Sequence, residues 1–108
     1  MKYLFMICVD EPFTAEPGEL DPEPWVAEME ARKTRLTGDR LRPPADATTI
    51  RVRDGQVLLT DGPYVETKEQ MGGFDIIECA DLDEAIEIAS KHPIARFGMI
   101  EIRPFWTE

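Results

Sequence analysis

The first block of the chain, Tyr3-Leu4-Phe5-Met6-Ile7-Cys8-Val9, is apolar at odd and even positions alike. A strand covered on both faces gives that pattern, so the block is placed centrally in a sheet. From Asp10 to Leu20 the chain mixes Pro12, Pro17 and Gly18 with acids and has no period, which reads as a loop. The pattern turns helical at Asp21. Asp21 serves as a cap, and Pro22, Glu23 and Pro24 fill a first turn where missing amide hydrogens cost nothing and acids suit the dipole. Trp25, Val26 and Met29 share one stripe, which Leu36 extends if the helix runs to Gly38, although Thr34 to Leu41 reads equally well as a strand.

Two β-rich runs, Thr48-Thr49-Ile50-Arg51-Val52-Arg53 and Gln56-Val57-Leu58-Leu59-Thr60, flank Asp54-Gly55, the strongest short hairpin signal a sequence offers. After a polar loop from Asp61 to Gln70, a strand is expected from Gly73 through Cys79, entered through the flexible Gly72-Gly73 pair. Asp81 with Glu84 forms a capping box for a second helix. Leu82, Ala85, Ile86 and Ala89 supply its i, i+3, i+4, i+7 face, and Lys91, His92 and Pro93 end it. A last strand is expected over Phe97 to Arg103, followed by Pro104 and the bulky pair Phe105 and Trp106, which need cover.

The order strand, helix, hairpin, strand, helix, strand predicts an α+β fold with a mostly antiparallel sheet and both helices on one face. Two short helices cover one side. The first strand presents Leu4, Met6 and Cys8 on one side and Tyr3, Phe5, Ile7 and Val9 on the other, so the second side needs a dry partner too. A second copy of the chain is the simplest, making the expected state a homodimer.

Composition narrows the partners. The 108 residues, 43% of them hydrophobic, suit one domain spanning 1–108 with a modest core. Asp+Glu number 22 against 12 Lys+Arg, an acidic surface that repels phosphate backbones and anionic headgroups, so neither nucleic acid nor membrane is an expected partner. Cys8 and Cys79 sit in apolar runs without metal or redox spacing. With the short apolar run at the N-terminus, which does not read as a leader, they point to buried free thiols and a cytoplasmic location.

The densest polar segment is Thr60-Asp61-Gly62-Pro63-Tyr64-Val65-Glu66-Thr67-Lys68-Glu69-Gln70-Met71-Gly72-Gly73. Together with Leu41-Arg42-Pro43-Pro44, Ala47-Thr48-Thr49-Ile50-Arg51, Gly72-Gly73-Phe74, Asp81-Leu82-Asp83-Glu84-Ala85 and Glu101-Ile102-Arg103-Pro104, in that order, it resembles the YCII-related proteins with a DGPF motif. The resemblance covers nearly the whole chain from Lys2. It departs at Tyr64, where the motif has Phe, and at Lys33, where relatives often carry Gly. It implies a ferredoxin-like dimeric α+β barrel, and it implies that Thr34 to Leu41 is a strand. For function it implies little: most such proteins have no assigned activity, a few are small lyases such as dehydrochlorinases, and some are encoded with or fused to sigma factors.

Read from the residues, Asp61 is a candidate general base, Tyr64 or Lys68 a candidate oxyanion stabiliser, and Glu66 and Glu69 groups that orient them. Turn formation by Asp61-Gly62-Pro63 and a solvated ion-pair cluster explain the same residues. His92, the single histidine, has the ordinary pKa for proton transfer, but a helix C-terminus accounts for it as well. Arg40, Arg42, Arg51 and Arg103 are candidate anion contacts, Arg103 beside Glu101 first among them, although surface pairing with the surplus acids explains most of them as well. No metal or cofactor spacing is present.

Two functions stay open. One is a binding or regulatory module whose dimer cavity senses a small molecule, with a sigma factor as a partner, favoured because no catalytic constellation is complete. The other is a cofactor-independent lyase or isomerase acting through Asp61 and His92 on a small cyclic substrate.

Overall fold

In the computed structural model, residues 1–10, 18–62 and 69–106 are described, and the side chains of Asp10, Glu69 and Gln70 are not. The two-faced first block becomes β1 (Lys2–Asp10). It is followed by α1 (Glu23–Ala31), β2 (Arg35–Arg40), the hairpin β3 (Thr48–Arg53) and β4 (Gln56–Asp61), β5 (Glu69–Glu78), α2 (Leu82–Ser90) and β6 (Met99–Pro104). A four-stranded sheet runs β2-β5-β1-β6 with every neighbouring pair antiparallel, which puts β1 inside as its apolar run requires. The hairpin forms a second sheet of its own.

Tyr3, Phe5 and Ile7 of β1 and Ile77 of β5 face both helices, and the core forms there against Trp25 and Met29 of α1 and Ala85, Ile88 and Ala89 of α2. Trp25 is pinned by its indole Nε1–H, which donates to the Ile88 carbonyl at 2.9 Å and ties the helices together. The expected face of α2 was centred one position off. Ile88 is buried while Leu82 and Ile86 are both 50% exposed, because the 3.6-residue period is shared by both stripes and packing chose Ala85, Ile88 and Ala89. The capping box forms: Asp81 Oδ1 accepts from the Glu84 amide at 2.9 Å, and Glu84 Oε1 accepts from the Ala80 amide at 3.2 Å.

The first helix does not reach Leu36. Lys33 adopts φ 60°, the left-handed conformation that ends helices, and the amides of Lys33 and Thr34 bond back to the Glu30 and Met29 carbonyls. The chain then enters β2, as the family resemblance implies. Asp21 Oδ1 accepts from the Glu23 amide at 3.0 Å, while Pro22 occupies the cap position itself.

At the hairpin, Asp54 (φ 51°) and Gly55 (φ 73°) both take positive φ, the geometry of a primed two-residue turn. The Gly72-Gly73 pair does not open β5 but lies within it, at a register shift opposite Ile7 and Cys8. Cys8 and Cys79 are buried thiols that form no disulfide. Among the described residues no helix is long and apolar enough to cross a membrane.

Candidate functional site

Where β1 ends, β5 begins and β2 ends, the chain surrounds a cleft of about 1110 Å³ on the helix side of the sheet. Its apolar walls include Ile7, Val9, Leu20, Val26 and Ile94, and its polar groups include Arg35, Arg40, Asp75 and His92. A cleft of this size with mostly apolar walls and a few polar groups has the makeup of a small-molecule site.

Asp75 stands on the inward side of β5, directly across from Phe5, so strand alternation forces a carboxylate into the core side. Its side chain is 7% exposed, and Oδ1 accepts from Arg35 Nε at 2.7 Å. Arg35 also pairs with Glu30 at 3.0 Å. Burial nevertheless wins over the guanidinium, and the Asp75 carboxyl is held above the usual carboxylate range. Gly38 makes room for the pair: a Cβ there would collide with Asp75 Oδ1 and meet the Phe74 carbonyl at 2.6 Å and the Arg35 guanidinium at 2.7 Å.

His92 is 5% exposed. Its Nδ1 accepts from the Ile94 amide at 3.0 Å, which leaves Nε2 as the protonated nitrogen of the neutral ring, and Trp25 packs edge-on with centroids 4.7 Å apart. The expected benefit from a helix dipole is not what governs this residue. The helix ends at Ser90, His92 caps the following short 3-10 turn Pro93–Arg96, and burial lowers its pKa to about 4. Near neutral pH the ring is a neutral hydrogen-bonding group on the cleft wall. Arg40 and Arg42 stand at the cleft edge; Arg42 is tied to Asp46 at 3.0 Å, and no described carboxylate pairs with the Arg40 guanidinium.

The candidate residues read from the sequence fall in different places. Asp61 is exposed at the end of β4, on the hairpin, and does not line the cleft that His92 lines. Tyr64, Glu66 and Lys68 lie outside the described residues, as do residues 11–17 of the expected loop. Glu69 is the first residue of β5, opposite Asp10. Arg103 is exposed on β6 and pairs with Glu101 at 3.3 Å. Asp75 and Arg35 were missed, while Arg40, one of the four candidate anion contacts, stands at the cleft edge. The available signal was an acid at an inward-facing position of an otherwise apolar strand. Among the described residues no group of three or more His, Cys, Asp or Glu could hold a metal ion.

A two-helix α+β domain with an antiparallel sheet and a cleft at the strand ends is the class this geometry defines. The family model of the YCII-related domain matches residues 1–107, and the chain belongs to that family. An uncharacterized protein of Rhizobium meliloti (strain 1021) is 45% identical over 67 residues, 60% of this chain and 54% of that protein. The chain thus spans about half the length of the curated relative it matches.

Proposed function

We propose that this YCII-related chain is a small-molecule-binding module whose ligand occupies the cleft beside Asp75 and His92. The cleft itself carries this reading. A ligand with a compact apolar body fits between Ile7, Val9, Val26 and Ile94, and an anionic group on it finds Arg40 at the edge. Asp61, the candidate base, stands apart on an exposed strand, which favours the module over the alternative of an enzyme acting through Asp61 and His92. In a titration of ¹⁵N-labelled protein with benzoate, an apolar-bodied carboxylate, the expected result is saturable shifts at the amides of Gly72, Gly73, His92 and Ile94. Shifts confined to the hairpin, or none, would refute it.

The same reading has the chain act as a homodimer with the ferredoxin-like barrel architecture that its β2-β5-β1-β6 strand order supports. The sheet face away from the helices presents Leu4, Met6, Phe74 and Ile76, all half-buried, and the exposed Met99, with Thr37, Glu101 and Arg103 toward its edges. An apolar centre with a charged rim is the anatomy of an interface. A regulatory use with a sigma factor is checked by pull-down, where recovery of no sigma factor removes that partner and leaves the ligand site standing.

One observation favours a second reading, in which the cleft is catalytic. Asp75 and His92 are buried titratable groups with shifted pKa values in one cleft, an arrangement suited to a cofactor-independent lyase or isomerase. Turnover of a bound ligand, lost in Asp75→Asn with binding retained, would establish it.

A further inference from the structure

Among the described residues the β3–β4 hairpin packs little on the body of its own chain. Its strands pair with each other, and its base is closed by the Gly62 amide donating to the Ala47 carbonyl at 2.7 Å and Thr49 Oγ1 donating to the Gly62 carbonyl at 2.8 Å. Beyond that it projects. The Cα radius of gyration is 15.9 Å, where a compact chain of this length has about 13 Å.

Register decides what it displays. Ile50 lies opposite Leu59 and Val52 opposite Val57, so these four share one face. They are 62%, 68%, 56% and 60% exposed, respectively. The opposite face carries Thr49, Arg51, Arg53, Gln56, Leu58 and Thr60. An isolated two-stranded hairpin is marginal in water and gains stability by laying such an apolar face on another surface.

We propose that the hairpin is an arm that lays its Ile50, Val52, Val57 and Leu59 face on a second copy of the chain, against the open face of that copy's four-stranded sheet. This rests on the homodimer reading and adds how the dimer is held. Area argues for a second copy. Four strands spaced about 4.8 Å apart and about 20 Å long give the open sheet face a footprint of roughly 400 Å², about half of the ~800 Å² per partner of a stable interface. A hairpin of two strands adds a footprint of roughly 200 Å². A two-fold axis repeats the contact, so each chain brings both its arm and its sheet face, together a footprint of roughly 600 Å², to one self-complementary interface.

The test is sedimentation equilibrium of the full chain and four variants. Val52→Lys with Leu59→Lys charges the arm face, Leu58→Lys charges its opposite face, and Met6→Asp charges the open sheet face. Ile50→Thr with Val57→Thr removes apolar surface while keeping β-branched residues, should the lysines unfold the hairpin. The expected result is a wild-type dimer and Leu58→Lys like it. Either arm variant and Met6→Asp should then raise the dissociation constant about a hundredfold or more, as for removal of a central contact. A dimer broken by Met6→Asp but untouched by both arm variants keeps the homodimer and refutes the arm. A monomeric wild-type chain, or arm variants that weaken the dimer while Met6→Asp does not, overturns the docking as stated.

Discussion

His92 makes acid stability a direct readout of the cleft wall. Its pKa stands at about 4 in the folded chain because burial disfavours the charged ring, against 6.5 for an unperturbed histidine. A folded-state pKa below the unfolded one means that the unfolded chain takes the proton first. The stabilisation is therefore complete above about pH 6.5 and disappears as the pH falls toward 4. Worked through the linkage relation, lowering the pH from 7 to 5 costs about 2 kcal/mol through this residue. For a domain of this length that is a fall in melting temperature of roughly 8–15 °C. Asp75 works in the opposite direction, since its raised pKa favours the folded state as its carboxyl protonates, so the wild-type curve alone does not isolate the histidine. The difference from His92→Asn does. An asparagine keeps an acceptor for the Ile94 amide and removes the titration, at a constant loss of packing against Trp25. Urea unfolding of both proteins at pH 7, 6 and 5 should show the gap between them closing by about 2 kcal/mol as the pH falls. Parallel curves would show that His92 is neither buried nor depressed as described.

Lys33→Gly should raise stability by about 0.5 kcal/mol, because relief of the left-handed strain outweighs the added freedom of the unfolded chain; a lower melting temperature would contradict the φ of 60° at that residue. Gly38→Ala should destabilise by about 2 kcal/mol or more, since its Cβ meets Asp75, Arg35 and the Phe74 carbonyl, and a calorimetric scan reads it directly. Exposed Arg40 has no described carboxylate partner, so Arg40→Gln should leave the melting temperature within a degree or two while weakening benzoate binding about tenfold; unchanged affinity would remove Arg40 from the site.

Much of the fold is legible in the sequence because its signals are local. Apolarity at both parities put β1 inside the sheet, Asp54-Gly55 specified the turn, and Asp81 with Glu84 specified a helix start. The failures occur where the deciding contact is distant in sequence. Ile88, not Ile86, faces the core because α2 is rotated to meet α1 through the Trp25 bond to the Ile88 carbonyl, which spans 63 residues. The Asp75–Arg35 pair spans 40 residues, and no spacing along the chain announces it. Asp61 drew attention for turn chemistry and a crowded polar neighbourhood, yet exposure on the hairpin is equally compatible with both. His92 was singled out for its intrinsic pKa, and the fold lowers that pKa by burial, a term no local pattern carries.

The central claim is that the cleft holds a small molecule, and native mass spectrometry of gently purified protein tests it most directly. Wild-type protein is compared with Val26→Arg, a substitution on the cleft wall at a half-buried helix position, packed at the margin of the core, that fills the space. A discrete bound mass is expected on the wild-type chain, with its loss from Val26→Arg while that variant still unfolds cooperatively. A wild-type chain that carries nothing, or a bound mass that both proteins keep equally, would contradict it.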